Sequence, residues 1–242
     1  MKKSKYLFVF GVFIFIFTFF SVSSKISFDN IFGLGSSIEL ENPGEKGNVK
    51  LEKPVFIRIF KEERKLEIWQ ENTSGKYELY KTYDICTYSG GLGPKKKEGD
   101  KKTPEGFYST EKSLLNPNSS YHLSFNIGYP NEYDKAHGYT GSLIMIHGDC
   151  VSIGCFAMTD PYIEEIYSIV EGALANGQKK IDIHVFPFKM TTKNMSKYNG
   201  SEYYDFWKEL KPVYDYFEKN KMVPKVGVID KKYVLEEQAD SL

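Results

Sequence analysis

From residue 54 onward the chain alternates apolar and polar positions with the period of two that marks half-buried strands. PVFIRIF (54–60) and KLEIWQ (65–70) flank the charged stretch Lys61 to Arg64, which predicts a β-hairpin. KYELYKTYDICTYSG (76–90), rich in Tyr, Ile and Thr, predicts one or two further strands. Glycine, proline and lysine then crowd into a long loop before GFYST (106–110) resumes a strand. The apolar run Leu143 to Ile146 is bounded by Gly141 and Gly148, so it predicts a short buried strand leading into His147. Past Asp160 the period lengthens to that of a helix. Asp160 can cap it, Pro161 suits its first position, and Ile163, Ile166, Tyr167, Val170 and Leu174 share one face until Asn176-Gly177 ends it. KIDIHVF (180–186) returns to alternation, with Ile181, Ile183 and Val185 inward and His184 a polar residue on the opposite face. The tail from 188 to 242 carries a helical stripe in Tyr203, Phe206, Trp207 and Leu210, and Pro212 is expected to break or kink it before Tyr214 and Phe217. The pattern contains no internal repeat. It predicts a mainly β region with helices over 54–187 and a helical C-terminal extension over 188–242.

The N-terminus changes the picture of where such a domain works. Lys2, Lys3 and Lys5 precede an apolar stretch from Tyr6 to Phe20, and small residues follow at Ser21 to Ser24. This is the layout of a secretory leader. The stretch is short for a full membrane span, though an uncleaved anchor over 1–24 fits the same residues. Residues 25–53, with GLGSS and ENPGEKGN, form a linker. The expectation is an exported, periplasmic or envelope protein that touches the membrane only through its N-terminal segment. The 32 basic and 32 acidic residues leave no basic surplus, which excludes a nucleic-acid partner from the expectations. Lys95-Lys96-Lys97, followed by Glu98 and Asp100, is expected to be a solvated loop.

The candidate chemistry lies in SLIMIHGDCVSIGCFAMTD (142–160). Three cysteines occur in the chain, Cys86, Cys150 and Cys155, so at least one thiol is free. Zinc fits poorly, because no second Cys or His pair completes a tetrahedral set, and no metal or other cofactor is expected. A free thiol close to an imidazole is a candidate nucleophile with its base. His147 ends a strand and is held by it. Gly154 sits in a strand-to-helix turn where backbone amides at Gly154 and Cys155 can face an oxyanion. The competing readings are a buried structural cysteine beside a core histidine, and a redox pair of Cys150 with Cys155. The latter lacks the Cys-x-x-Cys spacing. Cys150 is expected to be structural, either bridged to Cys86 or a buried thiol.

Ile146-His147-Gly148 followed by Ser152-Ile153-Gly154-Cys155 resembles the catalytic motif of the L,D-transpeptidase (YkuD) family. Gly99-Asp100 through Thr103-Pro104-Glu105-Gly106-Phe107-Tyr108, then Ser120-Tyr121-His122 and Tyr129-Pro130-Asn131, resemble further pieces of that family in the same order. The resemblance implies a β-sandwich-like catalytic domain and a reaction on peptidoglycan stem peptides. It implies Cys155 as nucleophile, His147 as general base and acid, the amides of Gly154 and Cys155 as oxyanion hole, and Tyr121, His122 and Ser152 lining the substrate site. The cysteine would attack the carbonyl at the L-centre of diaminopimelate, D-alanine would leave, and an amine would take the acyl group. Two departures stand out. His147 and Cys155 are only eight residues apart, and Ala157 occupies a position where many members carry arginine. This form is similar to a branch that includes an amidase releasing wall-bound lipoprotein, so hydrolysis and a wall-attached lipoprotein partner are alternatives. A non-catalytic wall-binding module is a third, though it would have no need of an aligned base.

Overall fold

The computed structural model describes residues 53–236. The leader and the linker up to residue 52 lie outside the described residues. The hairpin forms as the alternation predicts: β1 (Val55–Phe60) pairs antiparallel with β2 (Lys65–Glu71), Ile57 opposite Ile68. β3 (Tyr77–Asp84) adds one strand to β2, and beyond it Thr87 makes only an isolated bridge to Ala157. β4 (Gly106–Thr110), β5 (Leu115–Asn116), β6 (Ser124–Asn126), α1 (Glu132–Ala136), β7 (Met145–His147) and β8 (Phe156–Ala157) follow. Then come α2 (Asp160–Ala175), β9 (Ile181–Phe186), α3 (Thr192–Lys197), α4 (Tyr204–Asn220) and the hairpin β10 (Val226–Ile229) and β11 (Lys232–Leu235).

These strands make a five-stranded sheet, β3-β2-β1-β9-β4, and a four-stranded sheet, β5-β6-β7-β8. The β1–β9 pair is parallel, so β9 returns to the sheet through α2 and closes it between β1 and β4. The main core lies between the sheets and under α2. Ile57, Ile59, Leu66, Ile68, Ile183 and Val185 from the first sheet meet Phe125, Ile146 and Phe156 from the second, and Ile163, Ile166, Val170 and Leu174 from α2. Each fully buried isoleucine here contributes about 1.5–3 kcal/mol of transfer free energy. The architecture is the expected β-sandwich with a helix after the cysteine turn.

The second face of the five-stranded sheet is where the sequence misleads. All six residues of β1 are buried, which a single covered face cannot produce. Helix α4 packs over this face, placing Trp207, Leu210 and Tyr214 against Phe60 and Phe186. His184 is therefore no solvated strand residue. It is 3% exposed and lies edge-on to Phe56 and Phe107, each 4.7 Å away between centroids. Burial, with Arg58 beside it, lowers its imidazole to about 3, so it is neutral. Arg58 is buried too, its guanidinium 4.7–5.0 Å from the rings of Phe60, Tyr214 and Phe217 and donating to Glu218 at 2.7 Å.

Pro212 does not break α4, which runs unbroken from Tyr204 to Asn220. A proline there removes one helical hydrogen bond and crowds the previous turn, a cost of about 3 kcal/mol. Pro212 and Lys208, whose carbonyl loses its partner, both face solvent, so water can take the freed oxygen. Burial of Trp207, Leu210, Val213, Tyr214 and Phe217 on the opposite face offsets the rest.

Candidate active site

β7 and β8 run parallel, with Ile146 beside Phe156 and His147 beside Ala157. Cys155 directly precedes β8, and continuing that register sets it beside Met145. Cys155 thus stands one residue before the strand that runs beside His147. The Met145 amide donates to the Cys155 sulfur at 3.4 Å, and the thiol donates to the Leu143 carbonyl at 3.7 Å. His147 is 3% exposed, and its Nδ1 contacts the Gly148 carbonyl at 2.6 Å. A carbonyl only accepts, so Nδ1 must carry the proton and Nε2 is left as the free acceptor. The ring of Tyr121 lies against that imidazole, 4.8 Å between centroids.

Both groups are neutral at rest. Burial lowers the His147 imidazole below its ordinary 6.5, against the opposing pull of the Gly148 hydrogen bond and Asp149. Burial likewise raises the Cys155 thiol above 9.0, although the Met145 amide and Lys95 act in the other direction.

The turn between the two groups is held from outside. Cys86 and Cys150 form a disulfide, leaving Cys155 the free cysteine. Next to the bridge, Thr87 and Ala157 exchange two backbone hydrogen bonds. Two residues later the Ser89 hydroxyl accepts from the Gly154 amide at 2.7 Å. Gly154 takes φ +107°, a conformation closed to other residues at little cost, which explains the glycine before the cysteine. The Ser152 hydroxyl accepts from the Cys155 amide at 3.1 Å and donates to the Cys155 carbonyl at 2.6 Å. Both amides expected at an oxyanion site thus already donate to serine hydroxyls. A developing oxyanion would have to replace a hydroxyl to use either amide.

Other expected residues play different parts. Asp160 is the first residue of α2, after Thr159, and its carboxylate accepts from the Asp149 amide at 2.8 Å, bracing the His-Gly-Asp turn instead of capping its own helix. His122 pairs with Glu164 of α2 at 2.9 Å, which directs its imidazole to that helix. Asn131 caps α1 and donates to the Phe107 carbonyl, so the Tyr-Pro-Asn piece is structural. Lys95 is not solvated. It is 5% exposed, and its ammonium donates to Asp100 and to the Lys97 carbonyl. Burial alone would raise the Asp100 carboxyl, but Lys95 and three backbone amides outweigh it and bring it down to about 2. Asp100 five residues after Lys95 was the available signal. Ser89 carried none, being an ordinary serine before two glycines. Among the described residues no group of three or more His, Cys, Asp or Glu could hold a metal ion.

The disulfide closes a loop spanning 64 residues of sequence. In the chain-entropy account a ring of that size stabilises by about 4 kcal/mol. A Cys86→Ser/Cys150→Ser double variant is expected to lose stability of that order in denaturant unfolding of the oxidised protein. A loss under about 1 kcal/mol would mean that the neighbouring bridge and hydrogen bonds hold the turn unaided.

The model of the YkuD L,D-transpeptidase catalytic domain matches residues 54–214, which takes in the start of the helical tail. The chain is 48% identical to YafK of Escherichia coli strain K12 over 210 residues, 87% of this chain and 85% of that one. Among solved structures it is similar to the helical cell shape determining protein Pgp2 of Campylobacter jejuni as its K307A mutant. That match has a TM-score of 0.47 and 24% identity, and covers 68% of this chain and 56% of that one. With a motif, a sandwich and a family match that coincide over the same residues, the chain belongs to the YkuD L,D-transpeptidase catalytic domain family.

Proposed function

We propose that this is an exported cysteine acyltransferase acting on peptidoglycan stem peptides. The observation that carries the reading is the His147 tautomer. A buried imidazole whose Nδ1 is committed to Gly148 leaves Nε2 as the available base at the end of β7, beside the strand that the single free thiol precedes. Cys155 attacks the carbonyl at the L-centre of diaminopimelate. The thiol proton passes to His147 Nε2 as the S–C bond forms. His147 then gives that proton to the departing amine of D-alanine as the C–N bond breaks, leaving a thioester. An acceptor amine restores the thiol by the reverse path. The Cys155 amide exchanges Ser152 for the oxyanion while the Gly154 amide stays on Ser89, and Tyr121 and Ser152 flank the acyl group, with His122 at the outer edge.

Purified protein incubated with defined tetrapeptide muropeptides tests this by intact-protein and product mass spectrometry. The expected results are an adduct on Cys155 and a cross-linked product when an amine acceptor is supplied. Stem peptide shortened without cross-linking would assign the water-resolved, hydrolytic version of the same chemistry. Neither adduct nor product would overturn the reading in favour of a binding module.

A further inference from the structure

Glu105 lies in the Thr-Pro-Glu-Gly piece and is fully buried, far from solvent that could solvate it. Its carboxylate accepts from the Gly93 amide at 2.7 Å, the Lys61 ammonium at 2.9 Å and the Trp207 indole at 2.8 Å. Lys61, also fully buried, donates in addition to the carbonyls of Gly93 and Thr103 at 3.1 and 3.0 Å. A buried ion pair survives desolvation only when its remaining donors and acceptors are satisfied, and here they are. Thr103 in turn donates its amide to the Ser89 carbonyl at 3.1 Å, and the Ser89 hydroxyl joins the Lys101 carbonyl at 2.6 Å to the Gly154 amide. A second grip lies beside the first. Gly93, at φ +99°, has the Tyr203 ring where a Cβ would be, and Lys102 donates to the Tyr203 hydroxyl at 3.2 Å.

The contacts form one continuous path: helix α4, Glu105, the 92–104 loop, Ser89, and the amide next to the nucleophile. We propose that the 92–104 loop is a clamp through which α4 sets the nucleophile turn, with Ser89 as the positioning residue that delivers the restraint to Gly154. This rests on Cys155 being the reacting thiol, and it gives the C-terminal segment a part in the reaction besides covering the sheet.

A double-mutant cycle tests it. Trp207→Phe removes the indole donor yet keeps a ring for Phe188 and Tyr198, and Ser89→Ala removes the hydroxyl at the other end. Each is expected to lower kcat about tenfold and leave KM within about twofold, and Ser89→Thr, which keeps a hydroxyl, should stay within about threefold of the parent. If one path carries both effects, the double variant should be little slower than the slower single variant. Effects that multiply to about a hundredfold, or an unchanged kcat in either single variant, would overturn the clamp. Alkylation of Cys155 by iodoacetamide supplies a readout that needs no substrate. Its rate should change at least about threefold in both single variants and show the same lack of multiplication. If the parent alkylates but turns over no muropeptide, the functional reading fails while the alkylation cycle still decides the clamp. Should Trp207→Phe not fold, Tyr203→Phe, at a half-buried position, replaces it in the cycle with the same expected coupling.

Discussion

Cys155→Ala protein is expected to fold like the parent and to turn over no muropeptide. The fold should tolerate the change because the sulfur is in no disulfide and only partly buried, and its hydrogen bonds run to the Met145 amide and Leu143 carbonyl. Losing a small, half-exposed atom costs about 1 kcal/mol or less, within the ordinary range for single substitutions. The chemistry should not tolerate it, because no other free thiol exists and Cys86 and Cys150 are bonded to each other. Where a nucleophile forms a covalent intermediate, its removal lowers kcat on the order of 10⁶. Thermal unfolding and muropeptide mass spectrometry on the same sample make the check. A folded variant that works at the parental rate would remove Cys155 from the mechanism.

His147→Ala should lower acylation by about 10²–10⁴, the range for a lost general base. Its pH behaviour is the sharper signature. An imidazole acts as base only when neutral, and burial holds this one below 6.5. In the parent the acid limb of kcat/KM should therefore lie below 6.5, and the variant should lose that limb. The same burial acts on stability. Between the lowered folded pKa and 6.5 the unfolded chain holds a proton that the native state lacks, so His147 makes stability rise with pH across that window and adds no further slope above 6.5. An acid limb above 7, or a variant with an unaltered pH profile, would move the proton transfer to another group.

The sequence marks these two residues as candidates because their signal is local. An apolar run ends at His147, a glycine precedes Cys155, and a helical period begins a few residues later. The same locality makes α2 legible, since its inward positions repeat within one element. What stays hidden depends on cover supplied from far along the chain. Nothing near His184 or Arg58 announces α4, so the cover over that face is not legible in the strands themselves. Lys95 sits in a basic run whose composition suggests solvent, and only Asp100 and the folded-back loop draw it inward. Ser89 lies 65 residues from Gly154, in a segment that the disulfide and the Thr87 bridge join to the cysteine turn. Pro212 does not end α4 for the converse reason: packing on the far side of the helix carries the chain past it.

The cover supplied by α4 also limits how this catalytic unit can be transplanted. A fragment ending at residue 187 would hold every motif residue and still be a poor module to fuse to another targeting domain. Phe56, Phe60 and Phe186, all fully buried in the whole protein, would face water on one sheet, and Arg58 would lose Glu218. An apolar sheet face of that kind associates with copies of itself. The portable unit extends through β11, whose Tyr233 is buried against Phe107 and Tyr133, so engineered chimeras should place their junction after Leu235.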